Sequence, residues 1–333
     1  MSWFKKDPLQ IIVFQSYGTN SHLYIRGRAL EDESIDLEGK HPIELLINAY
    51  KRFDADEIRN TILILKLPNN FVVETQTDDK GYFLIDETVE NLQQMTNEIG
   101  WLQITLAYKS LIQTRSIQLE NRFPGEMLIP ENYSFGVASD IDDTILQTGM
   151  VSFFKWRVIY NTFLKTARKR VPLEGAAEFY HLLHHGKSGK ETNPIFYVSH
   201  SPWNMYRYLE FFLKKNNFPK GPILLRSFGS FLKRKDISEK PQKQKEIYNI
   251  LKTYPDLKLI LIGDSGEHDA DIYLEIAQTH PDRILAIYLR SVKHKKKMLR
   301  VKGLYETYKT TPALLVESSK QAIEHARENG FIA

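Results

Sequence analysis

The 333-residue chain contains no cysteine. That removes disulfide staples, thiolate zinc sites, iron–sulfur clusters and cysteine nucleophiles, while leaving the compartment open. Long apolar runs are missing too: no stretch approaches the roughly 20 apolar residues needed to span a bilayer. The opening MSWFKKDPLQIIVF carries two lysines, but its apolar run is too short and broken for a secretory signal. The expectation is a soluble, cytoplasmic protein, with peripheral contact to an anionic membrane left open. Strong charge imbalance is also lacking. A formal net charge of +4 falls far short of a dedicated nucleic-acid binder, so no nucleic-acid partner is expected. Internal repeats and low-complexity tracts are absent.

What is present is ordinary in amount and informative in arrangement. The chain is comfortable for two domains, each with enough apolar material for a core. Basic residues cluster: Lys293, His294, Lys295, Lys296, Lys297 and Arg300 form one block, with smaller groups at 168–170 and 233–235. Solvated faces are the plainer reading, and an anion-binding surface the competing one.

Residues 1–130 read mainly as strands. Runs at 11–16, 22–29, 61–67, 71–77, 82–85, 101–108 and 114–119 are rich in β-branched and aromatic residues, and several alternate apolar with polar. Residues 78–81, DDKG, mark a tight turn between two of them. A helix is expected at 42–53, and the whole is expected to be an antiparallel β-sandwich accessory domain. A linker is expected at 124–133. Within residues 131–333 the rhythm changes: apolar strands at 135–139, 195–199, 222–225, 257–262 and 284–289 alternate with helices at 154–168, 175–184, 202–214, 240–253, 269–278 and 312–329. That predicts an α/β domain with a Rossmann-like parallel sheet covered by helices on both faces.

The chemistry concentrates at strand ends. In SFGVASDIDDTILQTG, residues 134–149, an apolar strand runs straight into Asp140, Asp142, Asp143 and Thr144. Open parallel sheets place ligands at such carboxyl ends. Crowded carboxylates repel one another unless a cation neutralises them, and magnesium takes oxygen ligands from one or two of them plus a substrate phosphate. An Asp-rich turn alone is a common strand terminator. A second acidic strand end tips the balance: the apolar run 257–262 leads into Gly263, Asp264, Ser265, Gly266, Glu267, His268 and Asp269. Between them a third strand ends in Ser199, His200 and Ser201. There Ser201 is expected to cap a helix with Pro202 in its first turn, offering exposed amides to a phosphate.

These three strand ends, in this order, resemble the haloacid-dehalogenase superfamily across the α/β half. The resemblance implies Asp140 as nucleophile, forming an aspartyl-phosphate, and Asp142 as the general acid. It implies Ser199 as a phosphoryl-binding hydroxyl, and Asp264 and Asp269 completing a magnesium site with Asp140 and the main-chain carbonyl of Asp142. Thr144 fits the phosphatase branch of the pattern. A lysine between Ser199 and Asp264 is implied as a neutralising charge. Lys243 is preferred over Lys245, since it lies one turn before Ile247 and the two lysines face differently on a helix.

A narrower resemblance is carried by SDIDDT (139–144), YVSHSPW (197–203), ILLR (223–226) and LIGDSGEHDADIY (261–273), which look like the actin-patch-type phosphatidate phosphatase family and its bacterial relatives. It implies a phosphoric monoester hydrolase acting on phosphatidate or a related lipid phosphate. His200, Gln242 and Ser227 depart from that family's usual residues, which bears on substrate rather than on core chemistry. His200 reads equally as a pocket residue or a structural histidine. Arg226 and Arg290, each ending an apolar strand, are candidates to meet an anionic head group. Trp203 reads as packing, His184 and His185 as residues suited to a helix C-terminus, and Asp271 as facing outward. The aromatic stretch 151–163, VSFFKWRVIYNTF, suits either burial as an insert or the edge of a membrane. Two other readings stay open: the same chemistry on a soluble phosphate, phosphoprotein or nucleic-acid end, and a non-catalytic lipid-binding module.

Overall fold

In the computed structural model the described residues are 7–31, 57–110, 115–141, 175–226, 240–265, 268–291, 295–306 and 308–333. The helices expected at 42–53 and 154–168 and the aromatic stretch 151–163 lie outside them. The chain divides into two compact units, Met1–Pro130 and Glu131–Ala333.

Period-two alternation builds the first unit. Strand β3 (His22–Glu31) lies between β1 (Leu9–Phe14) and β6 (Tyr82–Thr88), antiparallel to both. A second sheet runs in the order β2 (Ser16–Tyr17), β8 (Phe123–Leu128), β7 (Trp101–Tyr108), β4 (Ile62–Lys66), β5 (Val72–Gln76). Its pairs are antiparallel except β2 with β8, which is parallel. Leu9, Ile11, Leu23 and Ile25 from one sheet share an apolar core with Leu63, Leu65, Ile104 and Phe123 from the other. The turn at 78–81 closes as its residues dictate: the Asp78 carboxylate accepts from the backbone N–H groups of Lys80 and Tyr82, both at 2.8 Å. Gly81 takes φ 74° there, where an added Cβ would meet the Ala29 carbonyl at 2.4 Å.

Two expectations for this unit are corrected. Residues 124–133 were expected to be a linker, yet β8 occupies the first part of that segment. Pro124 is tolerated as the strand's second residue, and Gly125 is required because Val13 packs so close that a Cβ would lie 2.4 Å from its Cγ1. Conversely, 114–119 does not supply a strand among the described residues. Ile117 makes one isolated bridge to Leu9, and Leu119 and Glu120 turn through left-handed backbone.

The second unit is an α/β structure around a six-stranded parallel sheet in the order β11 (Ile223–Arg226), β10 (Ile195–Pro202), β9 (Gly136–Ser139), β12 (Leu259–Asp264), β13 (Ile284–Arg290), β14 (Ala313–Val316). Strands β9 and β12 are buried along their whole length, which is why they read as unbroken apolar runs. The helices are α1 (Ala176–His185), α2 (Tyr206–Lys215), α3 (Gln242–Thr253), α4 (Asp269–Thr279), α5 (Lys295–Glu306) and α6 (Ser319–Glu328). The order of strands reverses at β9, so the loops leaving β10, β9 and β12 diverge around one crevice, the place where such sheets bind ligands.

Here too the C-terminal reading changes. The segment 312–329 was expected to be one helix; its apolar ALLV run instead adds β14 to the sheet edge, and α6 follows, capped by Ser318. A four-residue apolar run after a proline suits a strand or a first helical turn equally, and pairing with β13 decides it. Residues 295–300 of the basic block open α5.

Since Phe123 is 2% exposed and sits edge-on to Tyr108, Phe123→Ala is expected to destabilise the first unit by about 3–5 kcal/mol, read as a lowered urea midpoint. A change of a few tenths would place β8 outside the core.

Candidate active site

Four side chains from four elements meet at the crevice. Asp140 directly follows β9, and its backbone N–H donates to the Ile262 carbonyl at 2.8 Å, so the residue is still held by the sheet. Asp264 ends β12, Asp269 opens α4, and Lys243 lies in the first turn of α3. All four are fully buried. The Lys243 Nζ stands 2.8 Å from Asp140 Oδ1 and 2.5 Å from Asp269 Oδ1. Carboxylate oxygens of Asp140, Asp264 and Asp269 lie within 4.8 Å of one another.

Local sequence explains each placement. Lys243 is driven inward because Ile247, one turn on, is buried on the same face of α3, while Lys245 is exposed. Gly263 lets α4 approach β12: a Cβ there would sit 2.5 Å from Asp269 Oδ2 and 2.7 Å from the Tyr273 ring. The Tyr273 hydroxyl donates to the Ile262 carbonyl at 2.9 Å, fixing α4 on the strand.

Behind Asp140 lies a relay that the sequence reading did not single out. The Ser139 hydroxyl donates to the Asp140 carbonyl oxygen at 2.8 Å, leaving its oxygen to accept from the Tyr180 hydroxyl at 2.5 Å. Burial pushes the Tyr180 hydroxyl pKa well up, so it stays protonated as a donor. Its ring stacks on Tyr197, 6.3 Å between centroids and 8° from parallel. Ser139 and Tyr180 are 41 residues apart, and only the β9–α1–β10 layering joins them.

The electrostatics are unbalanced. Among the described residues three buried carboxylates gather around one buried ammonium, which pairs with Asp140 and Asp269. Burial, opposed by Lys243 and reinforced by the charges of Asp140 and Asp264, pushes the Asp269 carboxyl up to about 8. An arrangement that holds a proton on a carboxylic acid near neutrality has room for more positive charge. Among the described residues the donor set is all carboxylate oxygen, which suits a hard divalent cation such as Mg²⁺ or Ca²⁺. The residues present therefore fit such an ion.

Other expected residues stand around this box. Ser199 is buried beyond the level where Tyr197 pairs with Ser139, so β10 points it toward the same crevice. Its hydroxyl accepts from the Ser201 N–H at 2.9 Å, and β10 stays paired with β11 out to Pro202 and Arg226. The helix expected to start at Pro202 is thus corrected: a single 3-10 turn covers Trp203–Met205, and α2 begins at Tyr206. Ser201 is no cap there, because the strand continues through it. His200 and Arg226 are half-buried, and Arg290 ends β13 as the register partner of Asp264. Trp203 is buried, as packing requires, and the His184 Nδ1 meets the Asn193 carbonyl at 2.8 Å. Asp271 keeps a 37% exposed side chain, as expected of an outward position, and receives a hydrogen bond from Arg300 of α5. Asp142, Asp143, Thr144 and Ser227 lie outside the described residues.

Comparison with known proteins places this constellation in context. Residues 135–291 match the family model described as the catalytic domain of phosphatidate phosphatase APP1. The chain is 35% identical over 215 residues to phosphatidate phosphatase APP1 of Saccharomyces cerevisiae, covering 64% of this chain and 34% of that protein. It is 27% identical over 246 residues to an uncharacterized protein of Schizosaccharomyces pombe, covering 71% of this chain and 38% of the other. The chain therefore spans little more than a third of the length of these relatives. A solved structure of EndoBT-3987 from Bacteroides thetaiotamicron overlaps 84% of this chain and 77% of its own at 7% identity and a TM-score of 0.21, too weak a likeness to bear on the fold.

Two expectations follow from the geometry. With divalent cations chelated, the folded protein keeps a proton on Asp269 that the unfolded chain loses near pH 4. Stability from this group is full below about pH 4 and is lost as pH rises to about 8. Urea midpoints across that range should fall for the native chain relative to Asp269→Asn, and parallel profiles would refute the raised carboxyl. Separately, Gly263→Ala should push the Asp269 carboxylate aside and weaken Mn²⁺ binding, measured calorimetrically, by about 10–100-fold. Unchanged affinity would show that Asp269 takes no part in holding the ion.

Proposed function

Since residues 135–291 belong to the APP1 phosphatidate phosphatase catalytic-domain family, we propose that this chain is a magnesium-dependent phosphatase that hydrolyses a phosphate monoester through an aspartyl-phosphate on Asp140. Phosphatidate or a related lipid phosphate is its substrate. The observation that carries the reading is the buried box of Asp140, Asp264 and Asp269 around Lys243 at the reversal point of the parallel sheet. On this reading the second unit has the haloacid-dehalogenase arrangement, and the first is a β-sandwich accessory domain.

The chemistry divides among the residues as follows. An Asp140 carboxylate oxygen attacks phosphorus, forming an acyl-phosphate bond as the bond to the leaving alcohol breaks. Asp142 gives its proton to that alcohol oxygen, then takes one from the water that hydrolyses the acyl phosphate. Ser199 and Lys243 bind the phosphoryl oxygens, Ser199 through its hydroxyl and Lys243 through its charge. Thr144, His200 and Arg226 line the substrate side. Magnesium held by Asp140, Asp264, Asp269 and the Asp142 carbonyl would supply the positive charge that lets an anionic nucleophile approach an anionic phosphate. The Tyr180–Ser139 relay fixes the Asp140 carbonyl and thereby the direction of its side chain. No described helix is long and apolar enough to cross a membrane, so a bilayer-borne substrate would be met from its surface.

The test is phosphate release from phosphatidate in mixed micelles and from an aryl phosphate. Release from both should disappear with EDTA and fall by at least about 10³-fold in Asp140→Asn. Turnover that survives the substitution would overturn the nucleophile. Release from the aryl phosphate alone would keep the chemistry and replace the lipid with a soluble substrate.

A further inference from the structure

Asp140 is held by its backbone at both ends, and each hold leads to a buried tyrosine. Its N–H donates to the Ile262 carbonyl at 2.8 Å, and the Tyr273 hydroxyl donates to the same oxygen at 2.9 Å. Its own carbonyl accepts from the Ser139 hydroxyl at 2.8 Å, and that hydroxyl accepts from Tyr180 at 2.5 Å. The peptides on either side of Asp140 are thereby fixed. Together they set its φ and ψ, and with them the direction in which its Cβ leaves the chain. The Lys243 contact restrains only the carboxylate at the far end of the side chain.

The two tyrosines work from opposite faces of the sheet. Ser139 is the register partner of Ile262, so it faces away from the side on which Gly263 meets α4. Tyr180 comes from α1 against the Ser139 face, and Tyr273 from α4 against the Gly263 face. Both rings are packed in place. Tyr180 stacks on Tyr197 and lies edge-on to Phe218 at 5.3 Å, while Tyr273 is fully buried against Gly263. Burial raises the pKa of both hydroxyls, so both remain donors. Tyr273 also stands four residues after Asp269, on the same face of α4, so one carbonyl oxygen registers Asp269 against Asp140. Neither hydroxyl is needed to satisfy a buried acceptor: the Ile262 carbonyl has the Asp140 N–H, and the Asp140 carbonyl has Ser139. A tyrosine serving packing alone would need its ring and not its hydroxyl.

We propose that Tyr180 and Tyr273 form a two-sided clamp on Asp140 and are positioning residues for its attack on phosphorus. Neither touches the reacting atoms. Tyr180 acts by way of Ser139, and Tyr273 by way of the Ile262 carbonyl. The inference rests on the proposed function, since a fixed Cβ direction gains rate only if Asp140 is the nucleophile. In-line attack tolerates little misdirection, and a displacement of about 1 Å costs about 100-fold in rate. Because both holds end on one residue, releasing either already frees its Cβ, and releasing the second adds little.

The experiment is a double-mutant cycle of Tyr180→Phe, Tyr273→Phe and the combined variant in the full chain. It reads steady-state turnover of an aryl phosphate with Mg²⁺, and exchange of the Asp140 amide hydrogen by NMR. Each single substitution should lower kcat by about 10–100-fold and leave KM within about twofold. The combined variant should lose little more than either single one, well short of the product of the two losses. The folding constant of each single variant, from urea titration, should drop only about 2–10-fold, the share of one hydrogen bond. Exchange at the Asp140 amide should quicken about tenfold relative to that at Val137, near the other end of β9. A native kcat in either single variant, a change confined to KM, or losses that multiply in the combined variant each overturn the clamp. Absent turnover in the native chain would strike the phosphatase reading. Amide exchange would then decide the hold on Asp140 by itself, relative quickening supporting it and an unchanged ratio overturning it.

Discussion

The structure of the second unit depends on one buried ammonium set among three buried carboxylates. A lysine at this depth is costly unless it is paired, and Lys243 is paired with Asp140 and Asp269 at hydrogen-bonding distance. The pairing satisfies the lysine but leaves the acids in excess, and the raised pKa of Asp269 is the visible result. A fold shaped only for stability would replace such a cluster with apolar side chains of similar volume. Its presence at the reversal point of a parallel sheet therefore costs stability that the fold by itself does not call for.

The surrounding architecture can be understood as support for that cluster. The two fully buried strands β9 and β12 deliver Asp140 and Asp264 to neighbouring levels, with Ser139 opposite Ile262 and the Asp140 N–H locked on the Ile262 carbonyl. Gly263 removes the volume that would keep Asp269 away, and Tyr273 anchors α4 behind it. Ser139 and Tyr180 fix the peptide of Asp140 from the other side. Each support is neutral, so none adds to the negative charge already concentrated there.

Much of this could be read in the sequence because the chemistry sits at strand ends, and a buried parallel strand is an unmistakable apolar run. GVAS followed by Asp140, and LILIG followed by Asp264, are legible as apolar strands ending in an acid; a lysine was implied only by the superfamily resemblance, and the spacing from Ile247 served to prefer Lys243 over Lys245. The Tyr180–Ser139 relay was not legible, since a tyrosine in an amphipathic helix carries no mark of its partner and only three-dimensional layering supplies one. Pro124 and Gly125 misled for a related reason: they read as linker punctuation, yet β8 takes a proline near its start and needs a glycine beneath Val13. ALLV at 313–316 was too short for period to separate strand from helix, and pairing with β13 settled what local sequence left open.

The same reasoning links the site to the outer surface. The acidic cluster draws its members from β9, β12, α3 and α4, so its geometry is only as firm as the packing among them. Helix α5 contributes no ligand to it, yet it contacts the residue after Asp264 and the two residues after Asp269. A force applied to α5 from outside therefore reaches Asp264 and Asp269 through short, named contacts rather than through the sheet. The excess negative charge that raises the Asp269 pKa would also repel an anionic surface brought near the crevice.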